Sequence, residues 1–119
     1  MQYMVLGRYE PAVLKTLLDN PHGLAARLEQ AVSQLYGSVD GKVLHWWFVR
    51  NADWHFMVVV DFPDAEAAHT AAMIGYATGA YQALKLTVLA TPEETVSTLR
   101  RASAVGEVFY PPTASEVTA

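Results

Sequence analysis

Gly41-Lys42-Val43-Leu44-His45-Trp46-Trp47-Phe48-Val49-Arg50 and Trp54-His55-Phe56-Met57-Val58-Val59-Val60-Asp61-Phe62 are two runs dense in Val, Trp and Phe, separated by the polar connector Asn51-Ala52-Asp53. Such residues fit a pleated, half-buried surface, and a short polar break between two such runs marks a hairpin. Its strands are expected over residues 41–50 and 55–62. Pro63 ends the second, having no backbone N–H to give a ladder, and Asp64 stands where a helix N-cap accepts one. Glu66 then lies near the positive end of the helix dipole, and the Ala-rich helix runs to Gly79.

Upstream of the hairpin, residues 3–9 form an apolar stretch too short for a helix, stopped at Glu10-Pro11, and read as a first strand. Pro11 opens a short helical segment through Leu18, and Asn20-Pro21 interrupts it. Leu24, Leu28, Ala31, Val32 and Leu35 then recur at helical spacing until Gly37. Downstream, residues 82–89 make a fourth strand. Thr91-Pro92-Glu93-Glu94 carries a cap, a proline suited to the first helical position and the acid of a capping box. That helix fades by Ala104. The order β-α-β-β-α-β-α is the ferredoxin-like α+β arrangement with one added C-terminal helix. Right-handed crossovers give its four-stranded antiparallel sheet the order 4-1-3-2. Residues 1–105 are expected to form this domain and residues 106–119 a tail, in which Val108-Phe109-Tyr110-Pro111-Pro112 is apolar.

Of the 119 residues, 52% are hydrophobic and 17% charged, where a soluble domain averages about 25% charged. Disorder is excluded. No apolar run reaches the roughly 18 residues of a membrane span, and Met1-Gln2-Tyr3-Met4 lacks a basic leader, so a cytoplasmic protein without membrane attachment is expected. The absence of cysteine removes disulfides and thiolate chemistry, and a net charge of −4 argues against nucleic acid.

Alternation along the strands assigns side chains to faces. A single parity for the whole sheet puts the apolar even positions, Met4, Leu6, Leu44, Trp46, Phe48, Phe56, Val58, Val60, Leu84 and Leu86, against the helices. The odd positions make a mixed second face with Tyr3, Val5, Gly7, Tyr9, Val43, His45, Trp47, His55, Met57, Val59, Asp61 and Lys85. That face is too apolar for water and too polar for a dry core. A second copy of the chain covering it answers both constraints, leaving a lined cavity between the sheets. Tyr3, Gly7, Tyr9, Trp47, His55 and Met57 are then the expected ligand-binding residues, with the space beside Gly7 as a pocket floor.

Pairing Trp47 with Met57 sets His45 opposite Val59, His55 opposite Val49 and Asp61 opposite Val43, diagonal to His45. A carboxylate there would orient His45 as a general base, and Lys85 would stabilise developing negative charge. The same register parts the two imidazoles by roughly 13 Å, too far for one metal ion in a single chain, and no metal or cofactor is expected.

Leu6-Gly7-Arg8-Tyr9, Gly41-Lys42-Val43-Leu44, residues 59–68, Thr78-Gly79-Ala80 and Leu89-Ala90-Thr91-Pro92-Glu93-Glu94 together resemble the GYD-domain family, which is similar in turn to the dimeric α/β barrels. The resemblance spans residues 3–104 and departs at the motif that names the family. Where a Gly-x-Tyr-Asp belongs at the hairpin, the chain reads Ala52-Asp53-Trp54-His55. It implies the barrel fold and a homo-oligomer. Three functions follow as expectations: a small homo-oligomeric protein of unassigned function binding a small apolar or aromatic molecule on the sheet face, a cofactor-independent oxygenase or isomerase of the barrel type using His45, or a structural assembly unit with a filled cavity.

Overall fold

Three prolines and an aspartate set the helix starts of the first 89 residues. Pro11 opens α1 (Pro11–Asp19), and Asn20 both ends it and caps α2 (Pro21–Gly37), again with proline in the first turn. Asp64, just after Pro63, accepts the Ala67 N–H at 2.8 Å and starts α3 (Ala65–Ala77). The computed structural model describes residues 1–108 and Pro112. Its strands are β1 (Gln2–Tyr9), β2 (Lys42–Phe48), β3 (Phe56–Asp61) and β4 (Tyr81–Val88). They form one antiparallel sheet in the order β2-β3-β1-β4, which is the expected 4-1-3-2 read from the other edge.

Residues 1–89 form one compact unit, and a second begins at Ala90. In the second, Thr91 and Glu94 exchange hydrogen bonds of 3.1 and 3.2 Å in the expected capping box, and α4 runs Pro92–Gly106. Of the apolar stretch expected at Val108–Pro112, residues 109–111 lie outside the described residues. Among the described residues no helix is long and apolar enough to cross a membrane.

Within the first unit α2 packs on β2 and touches α3, α3 packs on β4, and α1 lies against α2. The core beneath them is built from Phe56, Val58, Val60 and Phe62 of β3 and its exit, Val32 and Tyr36 of α2, Ala68 and Ala71 of α3, and Tyr3, Val5 and Tyr9 of β1. The last three correct the single-parity expectation. β1 pairs Tyr3 with Val60, Val5 with Val58 and Gly7 with Phe56, so its odd side chains share the helix side with the even ones of β3. Alternation fixes faces only within a strand; cross-strand pairing decides how two strands' parities match. Tyr3, Val5, Gly7 and Tyr9 are accordingly all buried under the helices, and Met4, Leu6 and Arg8 turn to the opposite face.

A bulge in β2 makes a second correction. Val43 pairs with Val60 and His45 with Val59, which leaves Leu44 as the extra residue. Val43 therefore joins Trp46 on the helix side, where both pack against the core.

Candidate functional site

The open face of the sheet reads in rows across the four strands. Trp47, Met57, Leu6 and Lys85 make one row, and His45, Val59, Met4 and Thr87 the next. Lys42, Asp61 and Gln2 make a third. Trp47, Met57 and Lys85 occupy this face as expected from the strand pattern, with Trp47 58% exposed. The apolar residues form its centre and the charged ones its edges.

The three residues expected to act together do not converge. The bulge moves Asp61 opposite Lys42 instead of Val43. Asp61 Oδ1 accepts from the Met1 ammonium at 3.0 Å, and among the described residues no hydrogen bond or ion pair joins it to His45. Lys85 lies on the far edge strand, three strand spacings and one row away from His45, about 16 Å. An imidazole without an orienting partner and a lysine at that distance do not compose an acid–base site within the chain.

His55 keeps its expected place opposite Val49, whose N–H donates to its carbonyl at 2.9 Å, but its ring engages the end of β1. It precedes β3, its own N–H donates to Gly7 O at 2.8 Å, and its Nδ1 accepts the Tyr9 N–H at 3.0 Å. The ring stacks on Tyr9 with centroids 6.0 Å apart. β1 shifts register between Arg8 and Tyr9, and His55 supplies the acceptor that a regular ladder would have given the Tyr9 amide. Gly7 also differs from expectation. A Cβ there would sit 2.0 Å from Phe56 Cζ, so the space beside Gly7 is filled by a ring and is not a pocket floor.

On the helix side lies a cavity of about 270 Å³ that is partly open to solvent, with Ala31, Ile74 and Thr78 of its lining exposed. It is lined by Leu28, Ala31 and Leu35 of α2, by Ile74, Gly75 and Thr78 at the end of α3, by Ala80 and Tyr81 at the start of β4, and by Tyr9. Tyr9 and Tyr81 are cross-strand partners with rings 5.8 Å apart. Gly75 admits Tyr81, because a Cβ would come within 2.9 Å of the tyrosine ring. The Tyr9 side chain is 1% exposed, and among the described residues its hydroxyl has no hydrogen-bond partner. Burial pushes the phenols of Tyr9, Tyr36 and Tyr81 up, and repulsion from Tyr81 pushes those of Tyr9 and Tyr36 further. The neutral phenol is thus the resident form. Among the described residues no lining side chain is a carboxylate, lysine, arginine or histidine. The available chemistry is hydrogen bonding inside apolar walls.

Sequence reasoning placed Tyr9 in a cavity but on the wrong side of the sheet, and it missed Tyr81, which lay one residue before the expected strand. Ala31 and Leu35 were legible as an α2 face and Gly75 as a close-packing residue, but α2 and α3 meet this sheet edge only through the tertiary fold. No curated protein and no solved structure matches the chain. A family model, the GYD domain, matches residues 3–99, and the chain belongs to the GYD-domain family.

Proposed function

We propose that this GYD-domain protein binds a small apolar or aromatic molecule, and that the site is the helix-side cavity rather than the open face of the sheet. The observation that carries this reading is the partly open cavity of about 270 Å³ lined by leucine, isoleucine and alanine side chains, with Tyr81 and the buried Tyr9 beside them. Its size is near the lower end of small-molecule sites, roughly 300–1,000 Å³, and apolar walls with few polar groups are their usual composition. Indane, a two-ring hydrocarbon, is a suitable probe. In an NMR titration it should shift the amides of Ala31, Gly75 and Tyr81, and Ala31→Phe, which fills the space, should abolish the shifts while the fold persists. Absence of saturable shifts, or shifts indifferent to Ala31→Phe, overturns the reading.

A second reading concerns assembly. Trp47, Met57, Leu6, Met4 and Val59 form a continuous apolar band within one sheet face, with Lys42, His45, Asp61 and Lys85 around it. We propose that a second copy covers this band, since a two-fold interface sets the same patch against itself and places the polar edges at its rim. Light scattering should return a dimer mass for the parent and a monomer mass for Leu6→Glu at micromolar concentration. A parent that stays monomeric there refutes the proposal.

A further inference from the structure

A free sheet edge is a template for another strand, because its outward N–H and C=O groups lack partners. At the β2 edge the bulge at Leu44 breaks the regular spacing that a neighbour would need. β4, the other edge, pairs with β1 without a break from Ala83 to Val88 and carries one charge, Lys85. Antiparallel pairing turns both backbone groups of a residue to one side and alternates along the strand. Leu84 turns its groups away from β1, and there they meet Tyr76 of α3. The Leu84 N–H donates to the Tyr76 hydroxyl at 2.9 Å, and that hydroxyl donates to Leu84 O at 3.4 Å. Tyr76 is 48% exposed, so packing of its ring does not explain a tyrosine here. Its oxygen does at one residue what a neighbouring strand would do, accepting and donating together.

We propose that Tyr76 guards the β4 edge, and that the strand it keeps out is β4 of a second copy, added antiparallel about a two-fold axis at Leu84. Such an axis sets an edge against itself. With Leu84 facing its copy, Lys85 of each chain falls opposite Ala83 of the other, so no two lysines are opposed. Met73, one turn before Tyr76 and 72% exposed, adds apolar surface beside the same edge. The edge is separate from the apolar band of the open face, so this inference does not depend on the assembly reading above.

The test compares the full chain with Tyr76→Phe, which keeps the ring and removes the oxygen, and with Tyr76→Leu as a second variant. Light scattering and amide hydrogen exchange are followed over a concentration series. In the parent the Leu84 N–H should stay protected at every concentration. In either dilute variant it should exchange about tenfold faster, as expected for one lost hydrogen bond. Lys85, whose backbone groups face β1, should change by less than about twofold. As concentration rises, the mass of the variants should double relative to the parent, and the Leu84 and Leu86 amides should regain protection. Unchanged Leu84 exchange in the dilute variants, or a mass equal to the parent's throughout, overturns the guarding role. A doubled mass without protection at Leu84 and Leu86 overturns the β4 edge as the surface. Protection of Leu84 that grows with concentration in the parent overturns the proposal too, since the edge would then stand open with Tyr76 in place.

Discussion

Replacing Gly7 by alanine isolates the contact on which β1's placement depends. In an ordinary strand the change would stabilise by about 0.5–1 kcal/mol, since glycine loses more backbone freedom on folding. Here the new methyl carbon would stand 2.0, 2.2 and 2.8 Å from Cζ, Cε1 and Cε2 of Phe56. Ordinary contact begins near 3.4 Å, so the ring must withdraw by about 1.4 Å, the difference between 3.4 and 2.0. It has little room to do so. Phe56 is fully buried, with Tyr9 at 5.0 Å and Tyr81 at 5.4 Å. Overpacking of this kind costs about 1–3 kcal/mol, and a clash with three ring atoms belongs at the upper end, which outweighs the backbone gain. Net destabilisation of about 2 kcal/mol should lower Tm by roughly 10 °C in a unit of this size. Phe56→Leu removes the three clashing atoms. In that background Gly7→Ala should become neutral or mildly stabilising, giving a coupling of about 2–3 kcal/mol in a double-mutant cycle from urea unfolding. Additive effects, or a single Gly7→Ala variant as stable as the parent, would refute both the contact and the assignment of Gly7 to the helix side.

Two further outcomes follow from His55 and the tyrosines. His55→Ala leaves the half-buried Tyr9 amide without its acceptor and should cost about 1–3 kcal/mol. His55→Asn or His55→Asp restores an acceptor and should recover most of that loss, with hydrogen exchange at Tyr9 N–H as the local readout; equal loss in all three variants contradicts the assigned role. Stability should also fall in alkali. Burial raises the folded-state values of Tyr9, Tyr36 and Tyr81 above that of the unfolded chain, so the folded form holds protons that the unfolded form has released. Their contribution is complete below about pH 10 and decreases above it, by up to about 1.4 kcal/mol per pH unit for each tyrosine. Tyr9→Phe should reduce that slope by one tyrosine's share in denaturant titrations across alkaline pH, and an unaltered slope rejects the burial argument.

The elements and their order were legible because local signals carry them. Pro11, Pro21, Asp64 and the Thr91–Glu94 box each act within one helical turn, and each appears at its expected place. Faces were less legible. β3 carries its one charge, Asp61, at an odd position, so its parity was readable, and its even residues Phe56, Val58 and Val60 are the buried ones. In β1 both parities are apolar, Tyr3, Val5 and Tyr9 against Met4 and Leu6, and nothing local says which set the helices cover. The bulge at Leu44 was equally silent, since an inserted residue shows only in the pairing with β3.

These two invisible events redistributed the expected site. Reversing β1 took three aromatic or glycine positions out of the open face and gave Tyr9 to the helix-side cavity, while the bulge took away the Asp61–His45 dyad. His55 shows what remains of the motif for which the family is named. At the hairpin position where a Gly-x-Tyr-Asp ends in a carboxylate, this chain has an imidazole whose Nδ1 accepts the Tyr9 N–H. A carboxylate oxygen is also an acceptor, so an exchange of aspartate for histidine preserves that bond without preserving acid–base character. On this geometry the position serves to fix the end of β1, and through it the buried Tyr9 against Phe56 and Tyr81.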